Sequence, residues 1–151
     1  MTTLKVMKLY EAARLPERAT SGSAGLDIFA FPPTPIVLKS GGPVVMVPTG
    51  LILEVPLGWH CQMHGRSSLA ANGVMVFPGV IDEDYRGPLH VIMYCLSGHT
   101  DWEVRDYDRV AQLVLTQIQF GPTTSPSLKV LEVKEVSETE RGIGGLGSTG
   151  R

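Results

Sequence analysis

Apolar residues occur along the chain in short runs rich in Val, Ile and Leu, and Gly or Pro breaks these runs at close intervals. Short runs bounded by turn formers predict β-strands. The expected strands lie at residues 4–9, 26–30, 36–39, 44–47, 51–55, 59–63, 74–77, 89–96, 102–104, 110–118 and 128–133. The periodicity of an amphipathic helix is nearly absent, and one short helix is expected near residues 67–72. No internal repeat is evident. Many short strands separated by turns predict an all-β sandwich or barrel.

Composition agrees with that pattern. The 17 Gly and 11 Pro among 151 residues are too much punctuation for a helical bundle, and the length suits one domain with a proper core. Hydrophobic residues make up 43% and charged residues 19%, as in a soluble globular chain. The net charge is −2, so no global field draws in a polyanion, and no nucleic-acid partner is expected. A site for an anionic substrate must therefore carry local positive charge. Cys61 and Cys95 sit in apolar strand-like runs and read as reduced core thiols. No long apolar stretch marks a signal peptide or a membrane span. The expected location is intracellular, cytoplasmic or nuclear, with no membrane partner and no secretion.

Residues 141–151 differ in kind from the strand-forming part at 1–140. Five of these eleven residues are Gly, and only Ile143 and Leu146 are apolar. Ordering glycine costs the most backbone entropy, so this tail cannot fold on its own contacts. Either it is a plain disordered terminus, or it is an arm that orders over a phosphate, with Arg141, Ser148 and Thr149 as donors.

Four internal segments carry candidate chemistry. Gly79-Val-Ile-Asp-Glu-Asp-Tyr-Arg-Gly87 places Asp82 just after an apolar run from Val74 to Ile81, at the mouth of the core. A carboxylate so placed can take a proton from water as a general base, whereas Glu83 and Asp84 read as ordinary turn residues. In His64-Gly-Arg-Ser-Ser-Leu-Ala70, Arg66, Ser67 and Ser68 stand where the short helix begins. They form either an anion site or a simple N-cap by Ser67. Ser23-Ala-Gly-Leu-Asp-Ile28 buries Asp27 in an apolar run, which calls for an ion pair with an Arg or a nearby metal. Asp108-Arg-Val-Ala-Gln-Leu113 puts the Gln112 amide in a strand, where it can bond backbone or a phosphate oxygen. His60, His90 and His99 show no ligand spacing and read as structural or exposed; Trp59 and Trp102 read as packing.

Taken in order with the tail, these segments resemble the five sequence motifs of the trimeric dUTPase family, from about Leu4 to Gly150. The resemblance implies a jelly-roll-like β-barrel subunit with one short helix and a flexible Gly-rich C-terminal arm. It also implies a homotrimer with shared active sites: motifs one, two and four from one subunit, motif three from a second and the arm from the third. The implied reaction is Mg²⁺-dependent hydrolysis of dUTP to dUMP and pyrophosphate, which limits uracil in DNA and supplies dUMP for dTMP synthesis. By the same match Asp82 would deprotonate a water that attacks the α-phosphorus. Tyr85 would pack on the deoxyribose, and backbone at Gly79 and Val80 would read the uracil edge. Arg66, Ser67, Ser68 and Gln112 would hold phosphate oxygens. Arg141, Leu146, Gly147, Ser148 and Thr149 would close over the substrate. Asp27 would bond the hydration shell of Mg²⁺, the metal itself riding on the phosphates.

The chain departs from the family pattern at three places. Leu146 stands where an aromatic residue usually stacks on uracil, Leu26 where Tyr is frequent, and Gly65 where Pro is common. Two rival readings share the fold. A dCTP deaminase needs a different acidic residue at the base and lacks the Asp-Tyr-Arg-Gly ending of motif three. A non-catalytic relative should have lost catalytic groups, yet Asp82, Tyr85, Gln112 and Arg141 are all present.

Overall fold

The computed structural model describes residues 2–118 of the chain. The strand expected at 128–133 and the arm at 141–151 lie outside the described residues. Within them, ten strands and one short helix follow in order: β1 (Lys5–Lys8), β2 (Gly25–Phe29), β3 (Ile36–Leu38), β4 (Val45–Glu54), β5 (Trp59–His64), α1 (Ser67–Ala71), β6 (Val74–Val76), β7 (Gly79–Ile81), β8 (Pro88–Cys95), β9 (Trp102–Val104) and β10 (Arg109–Gln117). One four-stranded sheet runs β1-β4-β8-β6, a second runs β2-β10-β5-β7, and β3 pairs with β9. Every strand pairing is antiparallel.

The two large sheets share one core. Val47, Leu51, Leu53, Val91 and Met93 face inward from the first, and Ile28, Cys61, Met63, Ala111 and Leu113 from the second. β8 shows the alternation that builds it: Leu89, Val91, Met93 and Cys95 are buried, and the residues between them are not. Each such aliphatic side chain taken out of water contributes about 1.5–3 kcal/mol.

The structure corrects the expected pattern at three points. The runs at 44–47 and 51–55 are one strand, β4, with a register shift between Pro48 and Ile52. Its upper half pairs with β8 and its lower half with β1. Gly50 makes the irregularity possible, with φ of +70° and no room for a Cβ, which would lie 2.9 Å from the Ala13 Cβ. Conversely, the apolar stretch from Val74 to Ile81 divides at Phe77-Pro78. β6 joins the first sheet and β7 the second, so the chain crosses between layers here. Pro78 has no N–H to continue a ladder. Finally, the described residues form a two-layer, jelly-roll-like arrangement, and the sheets do not close into the expected barrel.

Candidate active site

Two groups of sequence-predicted residues gather at separate places. The first surrounds Asp27, in the middle of β2 and only 3% exposed. Antiparallel pairing sets Gln112 of β10 directly opposite it. The Gln112 Nε2 donates to Asp27 Oδ1 at 3.3 Å. Two guanidiniums flank the carboxylate: Arg66 Nε lies 3.4 Å from Oδ1 and Arg109 Nε lies 3.4 Å from Oδ2. Arg66 Nη1 also donates to the Arg109 carbonyl at 3.2 Å. A buried carboxylate is costly unless paired, and these contacts meet that need, so the ion-pair reading of Asp27 is realised.

Two cations on one anion leave the cluster with one net positive charge, in a chain whose overall charge is negative. Both guanidiniums retain access to solvent, the Arg66 side chain at 24% and that of Arg109 at 48%. The local positive charge that an anionic substrate requires is therefore present. Arg66 Nε is buried and makes no hydrogen bond among the described residues. Ser67 and Ser68 open α1 beside it, both exposed. Ser67 is not the N-cap: that position falls to Arg66, which makes no side-chain cap. Arg109 was not singled out by sequence reasoning. The need of Asp27 for an arginine partner was the available signal, but it did not specify which arginine.

The second group lines a cleft of about 250 Å³, built from β7, the turn after it and the outer face of β8. Among the described residues, Gly79, Val80 and Ile81 form an edge strand, paired to β5 on one side only. Half of the backbone N–H and C=O groups of an edge strand point away from its partner and are free to read a planar ligand edge. Asp82 follows, exposed at the end of the strand. A turn bond from the Tyr85 N–H to the Asp82 carbonyl, 3.2 Å, brings the ring of Tyr85 back over the cleft. Tyr85 Oη donates to the Pro88 carbonyl at 3.2 Å. Glu83 turns away and accepts the Gly58 N–H, a structural task. Among the described residues lining the cleft, only Asp82, Tyr85 and His90 carry polar side chains.

One chain does not bring the two groups together. Ile81 pairs with Cys61, whereas Gln112 pairs with His64 further along β5. With ~3.3 Å per residue along a strand and ~4.8 Å between strands, Asp82 and Gln112 are roughly 16 Å apart. Arg141, Leu146, Gly147, Ser148 and Thr149 lie outside the described residues.

Comparison with known proteins gives these features a class. The dUTPase family model matches residues 11–150. The chain is 44% identical over 148 residues to the deoxyuridine 5'-triphosphate nucleotidohydrolase of Treponema denticola, covering 95% of each. It is 40% identical to that of Syntrophotalea carbinolica, covering 98% of this chain and 97% of the other. The structure of the Staphylococcus bacteriophage 80alpha dUTPase with dUpNHpp superimposes with a TM-score of 0.82 at 26% identity, covering all of both chains. A mutant dUTPase of phage phi11, described with a structural Mg(II) ion, gives 0.71 at 26% identity, covering 89% of this chain and 99% of the other. Fold and sequence agree on a β-rich nucleotide hydrolase. More narrowly, the chain belongs to the dUTPase family.

Proposed function

We propose that the protein hydrolyses dUTP to dUMP and pyrophosphate at sites assembled between the subunits of a homotrimer. The observation that carries this reading is the cleft in which Asp82 and Tyr85 stand beside the open edge of β7. An edge strand offers backbone donors and acceptors to the uracil, and Gly79 and Val80 supply them. The ring of Tyr85 covers the sugar and leaves no space for a 2'-hydroxyl. Asp82, exposed and outside the guanidinium cluster, accepts a proton from water as that water attacks the α-phosphorus. The bond from phosphorus to the bridging oxygen breaks, and pyrophosphate departs with that electron pair. A well-placed general base is worth roughly 10²–10⁴ in rate.

The phosphates belong to the other group. Arg66, Ser67, Ser68 and Gln112 bind their oxygens, where the net positive charge lies. Because that cluster lies roughly 16 Å from Asp82 within one chain by strand spacing, a second subunit supplies one half of each site. Arg141, Leu146, Gly147, Ser148 and Thr149 of the arm complete the cover. Asp27 is the carboxylate that would hold Mg²⁺ here; with both its oxygens already facing guanidiniums, it would do so through the ion's hydration shell, in keeping with an ion that retains several waters. When bound, the ion neutralises phosphate charge that spreads during the reaction.

The test is pyrophosphate release from dUTP, dCTP, dTTP and UTP, with and without Mg²⁺. The expected result is release from dUTP alone, dependent on the metal. Ammonia released from dCTP would instead select the deaminase reading, and intact dUTP would select a non-catalytic relative.

A further inference from the structure

His90 has no part in the reading above, yet it stands in the same cleft as Asp82 and Tyr85. On β8 the alternation that buries Leu89 and Val91 turns His90 outward, half-buried, with Pro48 of β4 opposite. Its Nδ1 lies 3.2 Å from the Pro88 carbonyl oxygen. A carbonyl can only accept, so Nδ1 carries the proton. The same oxygen accepts the Tyr85 hydroxyl, also at 3.2 Å. It has two lone pairs and can serve both donors.

This shared acceptor matters because Tyr85 is lightly held. Its side chain is 46% exposed, and its hydroxyl makes one hydrogen bond among the described residues. The ring lies over Gly87, where the missing Cβ leaves room for it. The Pro88 carbonyl is the hydroxyl's tether. Its course is set by β8, where Pro88 pairs with Ile52 of β4, and the imidazole two residues on adds a second donor to the same oxygen.

We propose that His90 is a positioning residue for sugar selectivity: by donating to the Pro88 carbonyl it holds the acceptor on which the Tyr85 ring is tethered. This rests on Tyr85 acting as the sugar filter. In the proposed reaction His90 acts on neither the phosphorus nor the water, so its loss alters which sugar is admitted more than how fast dUTP is cut.

The experiment compares kcat/KM for dUTP and for UTP in the wild type, His90→Phe and His90→Asn, with thermal unfolding of each. Phe keeps a ring but has no donor; the Asn amide puts an N–H close to the position of Nδ1. His90→Phe is expected to lower the dUTP-to-UTP ratio about tenfold, the scale of one lost hydrogen bond, with kcat on dUTP nearly unchanged. His90→Asn is expected to recover most of the ratio. A wild-type ratio in a folded His90→Phe protein overturns the proposal, and so does equal loss in both variants, which would make the ring and not the donor responsible. If the wild type itself cuts UTP as well as dUTP, the sugar-filter reading fails first and this proposal falls with it.

Discussion

Replacing Gly87 by Ala separates stability from selectivity. A Cβ on Gly87 would lie 2.3 Å from Tyr85 Oη, 2.5 Å from Cζ and 2.9 Å from Cε2. Ordinary contact begins near 3.4 Å, so the ring must move by roughly 1 Å or more. All three obstructing atoms belong to one half-exposed side chain, so the ring swings outward and the backbone stays in place. The swing breaks the bond to the Pro88 carbonyl, a loss of about 0.5–1.5 kcal/mol. Gly→Ala at a position free to accept it returns about 0.4–1 kcal/mol by narrowing the unfolded ensemble. The two effects nearly cancel, and the melting temperature should shift by no more than about 3 °C. Selectivity has no such compensation. A displacement of ~1 Å in a positioning group can cost on the order of 10²-fold, so the preference for dUTP over UTP should collapse toward that extent. Differential scanning fluorimetry with steady-state pyrophosphate release on both nucleotides measures the two effects. An unchanged preference would refute the link between ring position and sugar choice, and a drop of ten degrees or more would refute the claim that only the ring moves.

Other outcomes follow from the same geometry. Asp27→Asn leaves two guanidiniums without their counter-charge; because both keep solvent access, the cost should be about 2–3 kcal/mol and not the full buried-pair value, read as a lower urea midpoint. A variant with the wild-type midpoint would show that the cluster does not contribute to holding β2 to β10. Burial pushes the Cys61 thiol up from about 9 to about 11. The native state therefore keeps its proton where the unfolded chain loses it, so stability should fall as pH rises from about 9 to 11, and Cys61→Ala should flatten that part of the profile. Equal parts of Asp82→Asn and Arg66→Ala chains, co-assembled, should regain activity at about a quarter of the sites if each site draws on two subunits. No recovery in verified mixed trimers would place both groups in one chain's site.

Much of the secondary structure was legible because it rests on local chemistry. The strands around 26–30, 59–63, 89–96 and 102–104 appear within a residue or two of where runs of apolar and β-branched side chains place them. The short helix also falls where expected. Errors occurred where local and non-local forces disagree. Pro48 and Gly50 are turn signals, yet β4 passes through them because β1 and β8 pair with its two halves. The stretch from Val74 to Ile81 reads as one apolar run, yet its halves belong to different sheets. Nothing in a run of Val, Met and Phe specifies which sheet will accept it.

The site divides along the same line. Asp27 could be recognised as a residue that needs a partner, because a carboxylate in an apolar strand has few other ways to exist. That two arginines meet it depends on tertiary packing: Arg66 bonds the Arg109 carbonyl 43 positions away, and both close on a strand near the N-terminus. His90 was less visible still. A lone histidine in an alternating strand carries no signal of its own, and its significance arises only because Pro88 offers one oxygen to two donors. Motifs identify side chains able to do chemistry, while strand pairing decides which of them meet. In this chain, pairing also holds Asp82 away from the guanidinium cluster, which is why the proposed site calls on a second subunit.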